Sequence, residues 1–226
     1  MSTPPRRARF PGGLYALCDD SVRPELSLPD KARLVLEGGA RVLQLRMKRT
    51  PPREALSATR AVLDLTRRMG AVCLVNDRVD YVLASGADGV HVGDDDLPTE
   101  DARRLLGPSR IVGRTARRLE DVLQARQAGA DYVGLGPIFL TTTKRVDHPL
   151  LGIDGLRVIA AASPLPIVAI SGITAANIAD VAEAGAYAAA VGSDLLEALD
   201  LTEQARRLVR AFESGAARRS IGMASP

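Results

Sequence analysis

The chain is poor in the residues that build disulfide frameworks and zinc sites. Its 226 residues include two cysteines and two histidines, and tryptophan is absent. Cys18 and Cys73 each lie in an apolar, strand-like run, so the simplest interpretation is two buried free thiols in a reducing compartment. No CxxC pair occurs, which argues against a zinc site because such sites draw on closely spaced cysteines and histidines.

Long apolar runs and clustered charge are also missing. No apolar stretch reaches the ~20 residues that cross a bilayer, and no apolar run follows the basic segment MSTPPRRARF. The sequence therefore predicts neither a membrane partner nor a secretory signal, and it favours a cytoplasmic location. The net charge is only +3 with dispersed basic residues, which argues against a nucleic-acid partner. Only three of the 30 basic residues are lysines, so Lys48 and Lys144 stand out.

One short phrase occurs four times along the chain. It combines a small residue and Gly-Ala with an apolar run that ends in or near glycine, and the copies begin at Glu37, Ser85, Gln127 and Glu183. Each copy is typical of a helix closed by a left-handed glycine, then a tight turn and a buried strand. Strand–helix units repeated in this way predict a parallel sheet covered by helices.

Eight strand-like runs alternate with helical segments, which predicts a single α/β domain with the closed (β/α)8 architecture of a TIM barrel. An open doubly wound sheet is the alternative, which the regular glycine punctuation favours less. We expect a flexible N-terminus over residues 1–12, the barrel over 13–213, and a disordered tail over 214–226 after a last helix that ends near Glu213. The predicted strands are 14–18, 42–47, 72–75, 89–92, 111–113, 132–135, 167–170 and 188–191.

Polar and apolar residues alternate in the second predicted strand, VLQLRMK. Because side chains alternate between the faces of a strand, Gln44, Arg46 and Lys48 point into the barrel. Two unpaired cations there would cost several kcal/mol, so we expect them near the open mouth beside a bound anion. Internal salt bridges to acidic strand ends are the alternative.

Acidic residues follow the next two strands. Asn76 and Asp77 end the third strand, and three aspartates at 94–96 follow the fourth. Carboxylates at the C-terminal ends of barrel strands suit Mg²⁺, which takes one or two protein carboxylates together with substrate phosphate. A helix N-cap before Pro98 is the alternative for the three aspartates. The inward-facing His91 is more typical of a hydrogen-bonded core histidine than of a catalytic one.

Hydroxyl and glycine residues follow the later strands. The sixth strand leads to Thr141, Thr142, Thr143 and Lys144, which are typical phosphate donors, although a plain polar loop is the alternative. The segment up to Leu151 is long, as in many lids. The seventh and eighth strands end at Ser171-Gly172 and Gly192-Ser193, where barrels often bind a monophosphate; glycines needed only for tight turns are the alternative. Two anion sites in one mouth predict two phosphorylated small-molecule substrates.

Together these motifs resemble the thiamine-phosphate synthase family. The resemblance rests on YALCD from Tyr15, QLRMK from Gln44, NDR from Asn76, DGVHVG from Asp88, GPIF from Gly136, TTTK from Thr141, SGI from Ser171 and GS from Gly192. These motifs cover all eight strand–helix units in order, so the match is specific although no single motif is.

The resemblance implies coupling of 4-amino-2-methyl-5-hydroxymethylpyrimidine diphosphate with a thiazole phosphate, giving thiamine phosphate and pyrophosphate with Mg²⁺ as cofactor. The implied mechanism is dissociative: diphosphate leaves first, and the thiazole nitrogen attacks the pyrimidine carbocation. By matching position, the catalytic residues are Arg46, Lys48 and Lys144, and the metal ligands are Asp77 and Asp96. The implied pyrimidine diphosphate site comprises Gln44, Arg46, Lys48, Asn76, Thr115 and Lys144. The implied thiazole phosphate site comprises Thr141, Thr142, Thr143, Gly172, Gly192 and Ser193.

Several positions depart from the family pattern. Asp94 replaces a glutamine, Thr115 a serine, Ala116-Arg117 a Thr-His pair, Leu140 a proline and Ser171 a glycine. Asp94 adds negative charge near the implied metal, whereas Thr115 keeps the hydroxyl.

Three other functions remain open at this point. A thiazole tautomerase has a related barrel, but it carries a histidine after the fifth strand where this chain has Ala116-Arg117. A non-catalytic barrel would bind the thiamine precursors without releasing pyrophosphate. A sugar-phosphate epimerase or isomerase shares the monophosphate site but has no need for Gln44, Arg46 and Lys48. The sequence leaves the oligomeric state open, including a homo-oligomer.

Overall fold

The predicted strands close into a barrel. The structure, a computed structural model, describes residues 10–141 and 148–224. Neighbouring strands pair in parallel and in chain order, and the last pairs with the first, which confirms the predicted TIM barrel. The strands are β1 (Gly13–Asp19), β2 (Val42–Arg46), β3 (Val72–Asn76), β4 (Gly89–Val92), β5 (Ile111–Ala116), β6 (Tyr132–Leu135), β7 (Ile167–Ala169) and β8 (Ala188–Val191).

Helices follow the strands and surround the barrel. They are α1 (Leu28–Glu37), α2 (Pro52–Met69), α3 (Val79–Ser85), α4 (Thr99–Leu106), α5 (Leu119–Gln127), α6 (Gly152–Ala162), α7 (Ile178–Glu183), α8 (Ser193–Leu196) and α9 (Leu201–Ala224). In the four sequence repeats, the glycine just past the helix has a φ between 79° and 109°, as the left-handed helix closure predicts. Within the described ranges, no helix has both the length and the apolarity needed to cross a bilayer.

Side-chain alternation divides the core into two layers. Leu43 and Leu45 of β2 lie in the apolar layer between barrel and helices. Val42 lies in the smaller cluster inside the barrel, where the bulkiest side chains are Tyr15 and Tyr132. Gly113 of β5 makes room for that ring, because a Cβ at this position would lie 2.1 Å from the Tyr132 Cζ atom. The interior is thus packed around tyrosine rings rather than left as a pore.

Phe10 closes the N-terminal end of the barrel. Its ring stacks on Tyr132 with centroids 4.3 Å apart and planes 3° from parallel, and it is 8% exposed. The Tyr187 hydroxyl donates to the Phe10 carbonyl at 3.0 Å. Phe10 therefore packs against the barrel although it falls in the predicted flexible N-terminus, because an aromatic side chain gains free energy by filling the open end; residues 1–9 lie outside the described ranges.

The last helix is longer than the sequence predicts. It continues past Glu213 to Ala224, so the predicted disordered tail is wrong for residues 214–224. Within the extended segment, Gly215 serves helix packing, because a Cβ there would lie 1.9 Å from the Ala179 carbonyl oxygen of α7. Arg218, one turn on, pairs with Glu183 at 2.6 Å. Contact with α7 extends the helix beyond its predicted end.

Candidate active site

The predicted site residues meet at one end of the barrel. A cavity of about 820 Å³ opens at the C-terminal ends of the strands, within the usual range for ligand sites. Each predicted site residue in the described ranges lines it: Gln44, Arg46, Lys48, Asn76, Asp77, Asp96, Thr115, Thr141, Gly172, Gly192 and Ser193. Thr142, Thr143 and Lys144 lie outside the described residues, as do residues 145–147 of the predicted lid segment.

Two cations of the β2 segment reach this mouth, and each pairs with a carboxylate at a neighbouring strand end. Arg46 donates to Asp19 Oδ2 at 2.6 Å, and Lys48 donates to Asp77 Oδ2 at 2.5 Å. The alternation placed these side chains as predicted, and the internal salt bridges of the alternative interpretation are also present. The Lys48 side chain is 51% exposed, so its ammonium group remains accessible to an incoming anion.

Asp77 and Asp96 form a close pair of carboxyl groups. Asp77 adopts the left-handed φ of 62°, and its backbone N–H donates to the His91 carbonyl at 2.8 Å. Burial raises the pKa of Asp77, and hydrogen-bond contact with Asp96 raises it further, while Lys48 opposes the shift. Asp96 also accepts from the Gly93 N–H at 2.8 Å. The pair crowds negative charge at one point, as in sites that bind a cation.

The carboxylate of Asp94 binds two arginines. It accepts from Arg114 at 2.8 Å and also from Arg117. Its added negative charge is therefore compensated, and two departures from the family pattern, at positions 94 and 117, contact one another. The three aspartates do not cap a helix in the described structure, since the N-cap residue of α4 is Pro98 and it has no side-chain cap.

A chain of side-chain hydrogen bonds runs beneath the mouth. Gln44 Nε2 donates to the Tyr15 hydroxyl at 2.9 Å, and the Tyr15 and Tyr132 hydroxyls lie 2.9 Å apart. The Tyr132 hydroxyl lies 3.0 Å from His91 Nδ1, and His91 Nε2 lies 3.1 Å from the Thr115 hydroxyl. Burial lowers the pKa of His91 to about 4, so the imidazole is neutral at physiological pH. The chain connects two predicted substrate-binding residues, Gln44 and Thr115.

Tyr15 and Tyr132 belong to this hydrogen-bond chain, although neither is among the site residues predicted from the sequence. Tyr15 shares its strand face with Asp19, whose side chain lines the mouth, and this alternation is the signal that could have found it. Burial raises the pKa of both phenols above the ordinary tyrosine range, so each hydroxyl keeps its hydrogen. The prediction for His91, a hydrogen-bonded core histidine, agrees with its two ring contacts.

The turns after β7 and β8 lie across the barrel from the carboxylate pair, since β3 and β7 are four strands apart in the closed order of eight. Ser171 and Gly172 both have positive φ, at 74° and 66°. Gly172 is required sterically, because a Cβ there would lie 2.3 Å from the Leu140 carbonyl oxygen. After β8, Gly192 directly precedes Ser193, the first residue of the short α8. Glycine at position 172 thus lets the turn after β7 pack closely against the segment that follows β6.

Comparison with known proteins gives a consistent assignment. The thiamine monophosphate synthase family matches residues 14–195. The thiamine-phosphate synthase of Myxococcus xanthus is 60% identical over 93% of this chain and 97% of its own length. That of Anaeromyxobacter dehalogenans is 48% identical over 95% and 93%, respectively.

Solved structures agree. The thiamine phosphate pyrophosphorylase of Pyrococcus furiosus superposes with a TM-score of 0.82 at 36% identity, covering 90% of this chain and 96% of that one. A 3-hexulose-6-phosphate synthase superposes with a TM-score of 0.67 at 20% identity, covering 88% of this chain and 99% of that one, which shows the shared barrel fold alone. The chain belongs to the thiamine-phosphate synthase family.

Proposed function

We propose that the mouth performs the family's transferase reaction by holding a magnesium diphosphate over β2–β4 and a monophosphate over β7 and β8. The reaction couples a pyrimidine diphosphate with a thiazole phosphate, and diphosphate is the leaving group. The observation that carries the proposal is the convergence of Arg46, Lys48 and the Asp77–Asp96 pair on one side of the cavity. We also keep the prediction of a cytoplasmic location.

The donor set fits magnesium when the substrate completes it. The described residues hold no cluster of three or more His, Cys, Asp or Glu side chains arranged around one point. Asp77 and Asp96 are in contact, and the pKa of Asp77 is raised, so a divalent cation would relieve the repulsion between them. Magnesium commonly binds one or two carboxylates and takes its other ligands from phosphate and water. When bound, it would neutralise charge on the diphosphate leaving group.

Arg46 and Lys48 supply the remaining positive charge on this side. Both pair with carboxylates at strand ends, which holds their side chains at the mouth. An oxyanion that arrives beside them receives donors already in position, so little reorganisation is needed as diphosphate leaves. We assign Gln44, Asn76 and Thr115 to the pyrimidine diphosphate, and we keep Lys144 as a sequence-based assignment.

The opposite side is assigned to the thiazole phosphate. Gly172, Gly192 and Ser193 come from two adjacent strand ends, and Thr141 lies in the same cavity. Thr142 and Thr143 are assigned to this substrate from the sequence. Because the two anions are held on opposite sides of one barrel, the thiazole nitrogen can approach the pyrimidine methylene after diphosphate departs. Positioning of two substrates is the main catalytic contribution of the protein.

Features of this chain also bear on the competing functions. A thiazole tautomerase carries a histidine at the position of Ala116-Arg117. In this chain Arg117 instead pairs with Asp94. A sugar-phosphate epimerase or isomerase has no need for Gln44, Arg46 and Lys48 at its mouth. Neither alternative accounts for the contact between Asp77 and Asp96 at the mouth.

The direct test mixes the purified protein with magnesium and both substrates, and follows pyrophosphate and thiamine phosphate together. We expect equal amounts of the two products, and we expect both to disappear when magnesium is chelated. Binding of both substrates without release of pyrophosphate would support the non-catalytic barrel instead. Product formation that survives chelation would contradict the metal assignment while leaving the reaction in place.

A further inference from the structure

We propose that Tyr15, Tyr132 and His91 are positioning residues that bind Gln44 and Thr115 into one hydrogen-bond chain with a fixed direction. The direction makes the Thr115 hydroxyl a donor toward the mouth and the Gln44 amide oxygen an acceptor. The assignment of Gln44 and Thr115 to the pyrimidine substrate rests on the proposed function, whereas the chain itself rests on its contacts.

The supply of hydrogens sets the direction. Gln44 Nε2 donates to the Tyr15 oxygen, so the single Tyr15 hydrogen is left for the Tyr132 oxygen at 2.9 Å. The Tyr132 hydrogen then points to His91 Nδ1 at 3.0 Å. A neutral imidazole has one N–H, which is thereby placed on Nε2, where it donates to Thr115 at 3.1 Å. The hydroxyl hydrogen of Thr115 remains free to donate outward.

Only one other arrangement gives every link a hydrogen bond and leaves no buried hydroxyl hydrogen without an acceptor, and it is the full reversal. Thr115 would then donate to His91, His91 to Tyr132, Tyr132 to Tyr15, and Tyr15 to a flipped Gln44 amide. A partial reversal leaves one buried hydroxyl or ring nitrogen without a complementary partner, which costs about 1–3 kcal/mol. The amide orientation of Gln44 and the hydroxyl direction of Thr115 are therefore coupled, although β2 and β5 are not neighbours in the barrel.

Packing fixes the oxygen atoms that carry the chain. Tyr15 is 2% and Tyr132 is 0% exposed, and their rings meet edge to face with centroids 6.1 Å apart. Phe10 stacks against the Tyr132 ring from the barrel's N-terminal end. Gly113 admits the ring, since a Cβ there would lie 2.4 Å from the Tyr132 hydroxyl oxygen. The phenols cannot swing away, so the chain is preorganised beneath the substrate.

The chain has a consequence for substrate choice. With the proposed direction, the floor of the mouth presents one acceptor, at Gln44, and one donor, at Thr115. An aminopyrimidine carries both an amino donor and ring-nitrogen acceptors, so its edges complement this floor. The thiazole phosphate, assigned to the opposite side, makes no use of the pair. Loss of the chain should therefore affect the pyrimidine substrate selectively.

The first test is the tautomer of His91 in the wild-type protein, measured by ¹⁵N NMR of the imidazole nitrogens. The chain has only two histidines, and His148, which is exposed, serves as the reference signal. We expect a hydrogen on His91 Nε2 and none on Nδ1. A hydrogen on Nδ1 would overturn the proposed direction. This readout needs no substrate, so it stands even where the proposed function fails.

The second test is Tyr132→Phe, which removes the central hydroxyl and keeps the ring. We expect kcat/KM for the pyrimidine diphosphate to fall about tenfold, as befits the loss of buried hydrogen bonds, with KM for the thiazole phosphate unchanged. The His91 preference for Nε2–H should also be lost. Tyr187→Phe is the matched control, because its hydroxyl donates to Phe10 outside the chain, and it should match the wild type in both readouts.

Two results would overturn the network. One is a folded Tyr132→Phe protein with wild-type kcat/KM and an unchanged His91 tautomer. The other is an equal loss for both substrates, which would indicate a general structural defect. Should Tyr132→Phe fail to fold, Tyr15→Phe interrupts the same chain one link earlier and is expected to show the same selective loss.

Discussion

The N-terminal end of this barrel is closed and apolar, whereas the C-terminal end is open and charged. At the N-terminal end, Phe10 packs over Tyr15 and Tyr132 in a largely apolar interior. At the C-terminal end, charged groups converge, and Asp77 holds a backbone conformation that few residues adopt. Strained backbone and crowded carboxylates lower stability, and they persist where a ligand needs them. The closed end stabilises the fold, and the open end is where we propose that the reaction takes place.

Strained backbone conformations are likewise concentrated at the C-terminal end of the barrel. Among the described residues, the non-glycine positions with positive φ are Arg23, Asp77 and Ser171, and each follows the C-terminal end of a strand. The hydrogen-bond chain through Tyr15, Tyr132 and His91 connects the two ends of the barrel. Phe10 stacks on Tyr132 at the N-terminal end, and His91 contacts Thr115 at the mouth.

The largest expected effect is at Asp77. Asp77→Asn keeps a residue that tolerates left-handed φ but removes the charge that would hold magnesium. We expect turnover to fall at least about 100-fold, as for loss of a group that stabilises the leaving charge, with folding retained. Pyrophosphate release and thermal unfolding measure the two properties. Asp80→Asn is the control, since Asp80 is exposed and pairs with Arg78; equal losses in the two variants would contradict the assignment.

Phe10→Ala tests whether the closed end contributes mainly to stability and the mouth mainly to activity. Loss of the stacked ring leaves a cavity, and we expect about 3 kcal/mol less free energy of unfolding. At a temperature where the variant stays folded, its kcat/KM should fall less than that of Tyr132→Phe, because both tyrosine hydroxyls remain. Denaturant unfolding gives the free energy, and Leu199→Ala, at a fully exposed side chain, should be neutral. A loss of activity without a loss of stability would contradict the division.

Arg46→Ala should separate the two halves of the mouth. It removes a cation beside the proposed diphosphate, and we expect kcat/KM for the pyrimidine diphosphate to fall about 10- to 100-fold. KM for the thiazole phosphate should stay near its wild-type value. Steady-state kinetics with each substrate varied in turn measures this split. Arg33→Ala, which removes an exposed surface pair with Glu37, is the control, and equal losses for both substrates would refute the division of the mouth.

The sequence predicted local features better than distant contacts. Alternation in β2 located Gln44 inside the barrel, and the Gly-Ala repeats located the strands that follow. Residues 15 and 132 are far apart in the chain, so their hydrogen bond could not be inferred before the barrel closed. Gly215 is a further case: its role in packing against Ala179 depends on a partner helix that no local pattern specifies.

The crowded acids predict a pH effect on stability. The pKa of Asp77 is raised in the folded protein, so the native state holds this proton at pH values where the unfolded chain has released it. Stability from this group is therefore present at low pH and is lost as pH rises through the raised pKa. Without magnesium, Asp77→Asn should lose less stability than the wild type as pH rises. Thermal unfolding at a series of pH values measures this difference. A steeper decline in the variant would contradict the sign.

The smallest effect is expected at Asp94. Its carboxylate is engaged by Arg114 and Arg117, so Asp94→Gln should change turnover and the magnesium concentration for half-maximal rate by no more than about threefold, as for an exposed ion pair. Arg117→Ala should act similarly, and the double variant should lose less than the sum of the two. A tenfold shift in the magnesium requirement would show instead that Asp94 acts on the metal.

The most direct test of two separate anion sites in one mouth is titration calorimetry of magnesium pyrophosphate and the thiazole phosphate, alone and together. We predict that each ligand binds with one-to-one stoichiometry. Saturation with one ligand should not prevent binding of the other. Asp77→Asn should lose only the magnesium pyrophosphate site. Mutual displacement of the two ligands would show that they share one site, and it would contradict the division of the mouth between β2–β4 and β7–β8.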